Sequence, residues 1–564
     1  MRHVIRGARR LSVILLQATL LLGPASAAGA SPQWVLFRDR GTSASVDSAL
    51  AAAARTLSPR AIARREKAAR ERGQSKPAVD VRDLEPNAPY VVAVEAAGAR
   101  IRTTSRWLNA VSIDAEPEAL AAIRNLPFVS DVRPVAVVAQ EETDAPGMDS
   151  PGGTSSGLGA DEFWYGPAEH QLTMLGIPEA HAMGYHGEGV LVCVLDSGFE
   201  LEHEAFDQLE VRATRDFLFH DENVAYDPKQ DIISQSNHGT QVLSILAGFS
   251  PGHLVGPAYR ADFILGKTEY LPSETKAEED AWIEGVEWAE AMGADIVTSS
   301  LSYSKWYRPQ DEDGRTALIT QAANLAFERG VLVFNSIGNQ GPDERTLSPP
   351  SDSPGVIAVG ATDWNGRLTG FSSLGPTWDG RVKPDLVAMG SGVPHVIPRS
   401  RDRYGSGAGT SYSTPLVAGC AAIVLSAHPD WGPEMVRDAL VMSGDRAGSP
   451  GNRYGWGIPN VRDAIYYPFV DGRVTDGQTR EAVARATVAW EPAGAVDSLA
   501  AAPGDSPPRG SVVTDSTGAY VVPNLPSGTY RVRVSAEGYA DVVSEPLEVP
   551  PSLGDVNFAL ERRP

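Results

Sequence analysis

Three residues of different chemistry stand at element boundaries along this chain, in the order Asp196, His238, Ser411. Ser411 lies in Gly409-Thr410-Ser411-Tyr412-Ser413-Thr414-Pro415, directly ahead of the apolar stretch 416–425. The small residues at 407–410 let the backbone turn tightly into a helix. That leaves the Ser411 hydroxyl exposed and places its amide among the unpaired N–H groups of a helix start. A serine hydroxyl is a weak nucleophile at neutral pH and needs a neighbouring imidazole to take its proton as it attacks a carbonyl. His238 is the candidate, in Asn237-His238-Gly239-Thr240 at the start of a helical pattern over 241–249. Asp196 follows the apolar run 190–195 and precedes Ser197-Gly198. A carboxylate there would hold the imidazole in one tautomer and stabilise the imidazolium that forms.

Taken singly, each residue has a plainer reading. Ser and Thr before an apolar periodic run are commonly helix caps. An Asp at a strand end is commonly a turn residue, and a lone His is commonly structural. Asn339, in Gly338-Asn339-Gln340-Gly341, reads by itself as a turn. The order of the motifs and their local contexts favour the catalytic reading over these.

The elements that would position the three residues follow from the pattern around them. The run 190–195 is continuously apolar, as expected of a strand buried on both faces of a parallel sheet, and open α/β sheets carry their chemistry at the carboxyl ends of such strands.

At this point the chain resembles the subtilisin-like serine proteases, whose triad runs Asp, His, Ser. The resemblance rests on Asp196-Ser197-Gly198, His238-Gly239-Thr240, Ser336-Ile337-Gly338-Asn339 and Gly409 to Pro415, with Phe371 to Thr377 and Arg381 to Asp385 between the last two. It covers residues 165–467. It implies a secreted serine endopeptidase acting through an acyl-enzyme, with the Asn339 side chain and the Ser411 amide as donors to the oxyanion. It also implies that 293–302 is a strand whose edge pairs with extended substrate, Ser300, Leu301 and Ser302 forming one wall of the primary pocket and Ser336, Ile337 and Gly338 the other. Ser302 stands where the family commonly has glycine. The chemistry requires no cofactor. Structural calcium stays open, since no dense calcium-loop motif is present.

The fold class expected is α/β: a three-layer domain with a mostly parallel central sheet, preceded by a small α+β prodomain and followed by a small all-β sandwich. Residues 1–27, with arginines at 2, 6, 9 and 10, an apolar run over 11–22 and Ala25-Ser26-Ala27, read as a secretory signal peptide. No later segment reads as a membrane span.

Residues 28–140 form a unit without triad elements: helix at 58–72, strands at 89–94 and 107–113, helix at 117–126, strand at 129–138. That order, with Trp107 to Ser112 and Leu126 to Val129, resembles the inhibitory propeptides of the same family and implies a zymogen. A linker rich in Gly, Ser, Pro and acidic residues follows at 141–164. Residues 468–564 contain short strands at 520–522, 529–534, 540–543 and 556–560. Gly518 to Tyr520, Leu525 to Tyr530 and Gly538-Tyr539 resemble the carboxypeptidase regulatory-like β-sandwich.

The formal charge is −22, with a basic surplus in the first 140 residues and a large acidic excess after them. The acidic balance argues against nucleic acid and anionic membranes as partners and leaves protein or peptide substrates, with the basic propeptide as an internal partner. Two cysteines, Cys193 and Cys420, exclude a disulfide scaffold. They are expected to be buried and free, although their motifs leave room for an approach. The alternative reading is a binding protein that keeps a protease fold as an extracellular scaffold. The complete quartet Asp196, His238, Asn339 and Ser411 speaks against it.

Overall fold

The computed structural model describes residues 32–41, 46–136, 165–271, 279–300, 306–468, 470–493, 510–523, 525, 528–549 and 556–563. At its centre is a seven-stranded sheet in the order Leu386–Met389, Val356–Thr362, Leu332–Ser336, Ile296–Ser299, Leu191–Asp196, Asp262–Lys267, Glu210–Asp216. Every neighbouring pair in it is parallel.

The strand Leu191–Asp196 shows why the sequence builds three layers. Val192 and Val194 join a core with the helices Asn237–Ala247 and Thr410–Ala427 on one face. Leu191, Cys193 and Leu195 join a second core with the helices Glu279–Met292 and Leu318–Glu328 on the other. A strand covered on both faces cannot alternate apolar with polar, which is why this run is apolar throughout.

The same split settles the cysteines. Cys193 and Cys420 are buried and free, and they belong to the cores on opposite faces of the sheet, so the approach that the sequence left open is excluded. Burial pushes both thiols up, which leaves them inert.

The N-terminal unit is a four-stranded antiparallel sheet in the order Arg100–Ser105, Ala110–Asp114, Gln33–Phe37, Val129–Pro134. The helices Pro59–Glu71 and Pro117–Arg124 lie where the sequence puts them. The strand expected at 89–94 is instead the helix Ala88–Ala96. Its start carries the reason: the Asn87 side chain accepts from the Tyr90 amide, and Pro89 occupies the first turn, a cap signature that outweighs the β-branched content of Tyr90-Val91-Val92.

This unit does not stand apart from the larger domain. Trp34, Trp107, Ala110, Val135 and Ala136 enter the core formed by Trp282, Ile283, Val286 and the helix Leu318–Glu328. Acidic side chains of Glu279–Met292 then receive its donors. The Ser112 hydroxyl donates to Asp280 at 2.6 Å, Ser105 to Glu287 at 2.5 Å, and Arg65 pairs with Glu290 at 2.6 Å. Arg64, wholly buried, donates to the Ala294 and Arg329 carbonyls and to the Glu290 carboxylate. The opposite charges noted in the sequence therefore meet in one interface.

The C-terminal segment has its own core around Val488, Tyr530 and Val532, inside a three-stranded and a five-stranded sheet. The expected strands appear as Ala519–Val522, Gly528–Ser535, Val542–Val543 and Phe558–Leu560. Val470–Asp476, Thr487–Pro492, Gly510–Val513 and Leu547–Val549 join them. Among the described residues one helix, Thr410–Ala427, is long and apolar enough to cross a membrane, and 78% of it is buried in the core.

Candidate active site

Asp196 ends the strand Leu191–Asp196 with its side chain fully buried, and its Oδ1 lies 2.8 Å from His238 Nδ1. The strand stops there because the chain turns at Ser197-Gly198, whose Ser197 amide donates back to Asp196 Oδ1 at 2.7 Å. His238 sits in the first turn of Asn237–Ala247, so the helix begins earlier than the 241–249 pattern suggests. It approaches the strand closely because Gly239 has no side chain. A Cβ there would clash with the Gly198 carbonyl oxygen and sit 3.1 Å from Asp196 Oδ1. Burial works against the His238 imidazolium, but the Asp196 charge and hydrogen bond outweigh it and raise the ring above its ordinary pKa.

Ser411 is the second residue of Thr410–Ala427 and is 9% exposed. Tyr412 beside it donates to Gln241 Oε1 at 2.9 Å, which ties the serine-bearing helix to the histidine-bearing one, and its ring lies 6.3 Å from that of His238. Pro415 has no N–H to return to the Ser411 carbonyl. Ser300 Oγ donates to that carbonyl instead, at 3.3 Å, and Ser411 Oγ donates to the Ser300 carbonyl at 3.5 Å.

Asn339 follows the strand Leu332–Ser336. Its Oδ1 accepts from the Thr410 amide at 3.0 Å and the Thr410 hydroxyl at 2.9 Å, which leaves Nδ2 as the free donor end. A point one bond off the Gly409 Cα lies 3.8 Å from Asn339 Nδ2 and 3.7 Å from the Ser411 amide nitrogen, so both nitrogens lie close to one point. The loop is held by the Phe371 to Thr377 motif: the Ser373 amide donates to the Gly338 carbonyl at 2.9 Å, and its hydroxyl accepts from the Gln340 amide at 3.0 Å.

The structure therefore brings together Asp196 with His238, and Ser411 with Asn339 and Ser300. Ser336, Ile337 and Gly338 are buried. The Ile337 side chain packs with Leu347 and Ala358. Leu301 and Ser302 lie outside the described residues.

One neighbour was missed in the sequence. Glu269, two residues beyond Asp262–Lys267, has a carboxylate oxygen that lies with donor atoms of Asp196 and His238 so that all are within 4.8 Å of one another. No signal along the chain marks it: Lys267 pairs in register with Asp196, and that register, set between strands, brings the polar Lys-Thr-Glu run out beside Asp196. Gln235 fixes the spot, donating to the Ser197 carbonyl at 2.8 Å and the Glu269 carbonyl at 2.6 Å.

Three family models match the chain: the subtilase family over 187–457, the peptidase S8 propeptide domain of Bacteroidota over 32–146, and the carboxypeptidase regulatory-like domain over 470–561. Subtilisin NAT of Bacillus subtilis subsp. natto is 32% identical over 297 residues, 52% of this chain and 70% of that protein. Subtilisin of Bacillus pumilus is 32% identical over 296 residues, 97% of that protein. The crystal structure of fervidolysin from Fervidobacterium pennivorans, described as a keratinolytic enzyme related to subtilisin, superposes with a TM-score of 0.53 at 19% identity. It covers 84% of this chain and 77% of the other, and this likeness concerns the fold. Parallel sheet, propeptide and sequence identity agree: this chain belongs to the subtilase family and is a serine-type endopeptidase.

Proposed function

We propose that the protein is a secreted endopeptidase made as a self-processed zymogen, hydrolysing peptide bonds through Ser411, His238 and Asp196. The observation that carries this reading is the 2.8 Å Asp196–His238 bond at the carboxyl end of a strand of the parallel sheet, together with the helix start carrying Ser411, which Thr410 ties to Asn339. His238 takes the Ser411 proton as the hydroxyl oxygen attacks the scissile carbonyl. The resulting oxyanion is met by Asn339 Nδ2 and the Ser411 amide, and His238 then passes its proton to the leaving amine. Water repeats the sequence on the acyl-enzyme.

In this reading residues 1–27 direct export and 28–140 are the inhibitory propeptide. Residues 141–164 link it to the protease domain at 165–467, and 468–564 are an accessory sandwich. Ile296–Ser299 is paired on both sides within the sheet, so substrate lies in extended form along the segment that begins beyond it at Ser300, with Leu301 and Ser302 continuing that wall. The chemistry draws on protein groups alone.

Labelling with a fluorophosphonate, followed by peptide mapping, tests the assignment. One adduct on Ser411, lost in His238→Ala, is expected. An unlabelled folded protein would instead favour the scaffold reading.

A further inference from the structure

Asp196 and Glu269 are 0% and 3% exposed, and their carboxylates lie side by side with the His238 ring. Asp196 Oδ1 is committed to His238 and to the Ser197 amide, while Oδ2, equally buried, has no hydrogen-bond partner among the described residues. One imidazole and two carboxylates form a donor set suited to a zinc ion, which takes nitrogen and oxygen ligands at about 2.0–2.2 Å and commonly keeps a fourth position for water. Atoms already within 4.8 Å of one another need a modest closing movement to reach a zinc shell. Gln235 holds the Glu269 backbone in place for it.

We propose that Asp196, His238 and Glu269 form an inhibitory zinc site superimposed on the catalytic pair, an inference that rests on the serine-protease reading for its consequence but not for its binding. Zinc takes the Nδ1 lone pair. The proton that Nδ1 carried in the neutral ring moves to Nε2, or, from the imidazolium, is released to solvent. Nε2 is then protonated and has no lone pair to receive the Ser411 proton, and Asp196 is turned from orienting the imidazole to binding the metal. Zinc here stops the reaction without touching Ser411, and its removal restores the Asp196–His238 bond.

The test uses zinc alone, on two readouts. Calorimetric titration of the full-length Ser411→Ala protein should show one zinc bound at micromolar concentration, weakened at least tenfold in Ser411→Ala/Glu269→Gln, with calcium and magnesium giving no comparable heat. Peptide hydrolysis by the processed enzyme should fall with zinc and recover with a chelator. The inhibition constant, referred to each variant's own metal-free rate, should rise at least tenfold in Glu269→Gln. Absence of binding below about 100 μM, or binding indifferent to Glu269, would overturn the site. Binding that depends on Glu269 in a protein without peptidase activity would uphold the site and remove the protease reading.

Discussion

Asn339 and Thr410 are bonded twice, the Thr410 amide and hydroxyl both donating to Asn339 Oδ1, at 3.0 and 2.9 Å. This pairing decides which end of the amide faces the space beside Ser411. With the oxygen occupied, Nδ2 is the end of the amide left to donate, as the proposed oxyanion role requires. Asn339→Ala should lower kcat by about a hundred- to a thousandfold with little change in KM, the magnitude known for the oxyanion-hole asparagine of subtilisin, a relative of this chain. Steady-state kinetics on active-site-titrated protein check this. Lowered thermal stability with unchanged turnover per folded molecule would make Asn339 a turn residue only.

The pH dependence follows from the raised His238 pKa, which comes from the Asp196 charge and hydrogen bond acting against burial. Catalysis needs the neutral ring, so the acid limb of kcat/KM should lie above the ordinary imidazole value of about 6.5. Asp196→Asn should move that limb to lower pH, because the group that raises the pKa is gone. It should also lower the plateau by about ten-thousandfold through the lost tautomer. A pH–rate profile of both proteins reads the two effects separately.

Gly239 controls how closely the histidine-bearing helix approaches the strand carrying Asp196. Gly239→Ala should yield a folded protein of lower melting temperature whose kcat/KM falls at least a hundredfold, since the added carbon collides with the Gly198 carbonyl and pushes His238 off Asp196. Calorimetry and peptide hydrolysis measured together check it.

The interface with the N-terminal unit should also depend on pH. Burial against that unit pushes Glu287 up to about 7 from an ordinary 4.5, with Glu85 adding to the rise and Arg106, Ser105 and the Trp107 amide opposing it. A group raised in the complex contributes fully below the free value and loses that contribution as pH rises through the bound one. Inhibition by the 28–140 fragment should therefore weaken by well over tenfold between pH 5 and pH 8. Glu287→Gln should flatten the dependence. Inhibition constants across that range check it.

The site was legible in the sequence where small residues and apolar runs mark element ends. Gly409-Thr410-Ser411 had to open a helix, and 190–195 had to be a strand covered on both faces. Glu269 was not, because its place depends on the register of Asp262–Lys267 against Leu191–Asp196, and register is set between strands and not along one. The helix Ala88–Ala96 was misread as a strand because β-branched residues were weighed above the Asn87 cap. Glu279, Asp280, Glu287 and Glu290 of the helix Glu279–Met292 are all buried. A neighbouring unit supplying arginines and hydroxyls is visible only in three dimensions.

The most direct test of the whole account is the fate of Ser411→Ala, expressed and purified free of host proteases. The account predicts that it folds, stays at precursor length because the segment near 138–142 is cut by the enzyme itself, and hydrolyses peptides at a rate at least about a thousandfold below the parent. Mature-length protein from that preparation, or residual turnover near the parent rate, would contradict it.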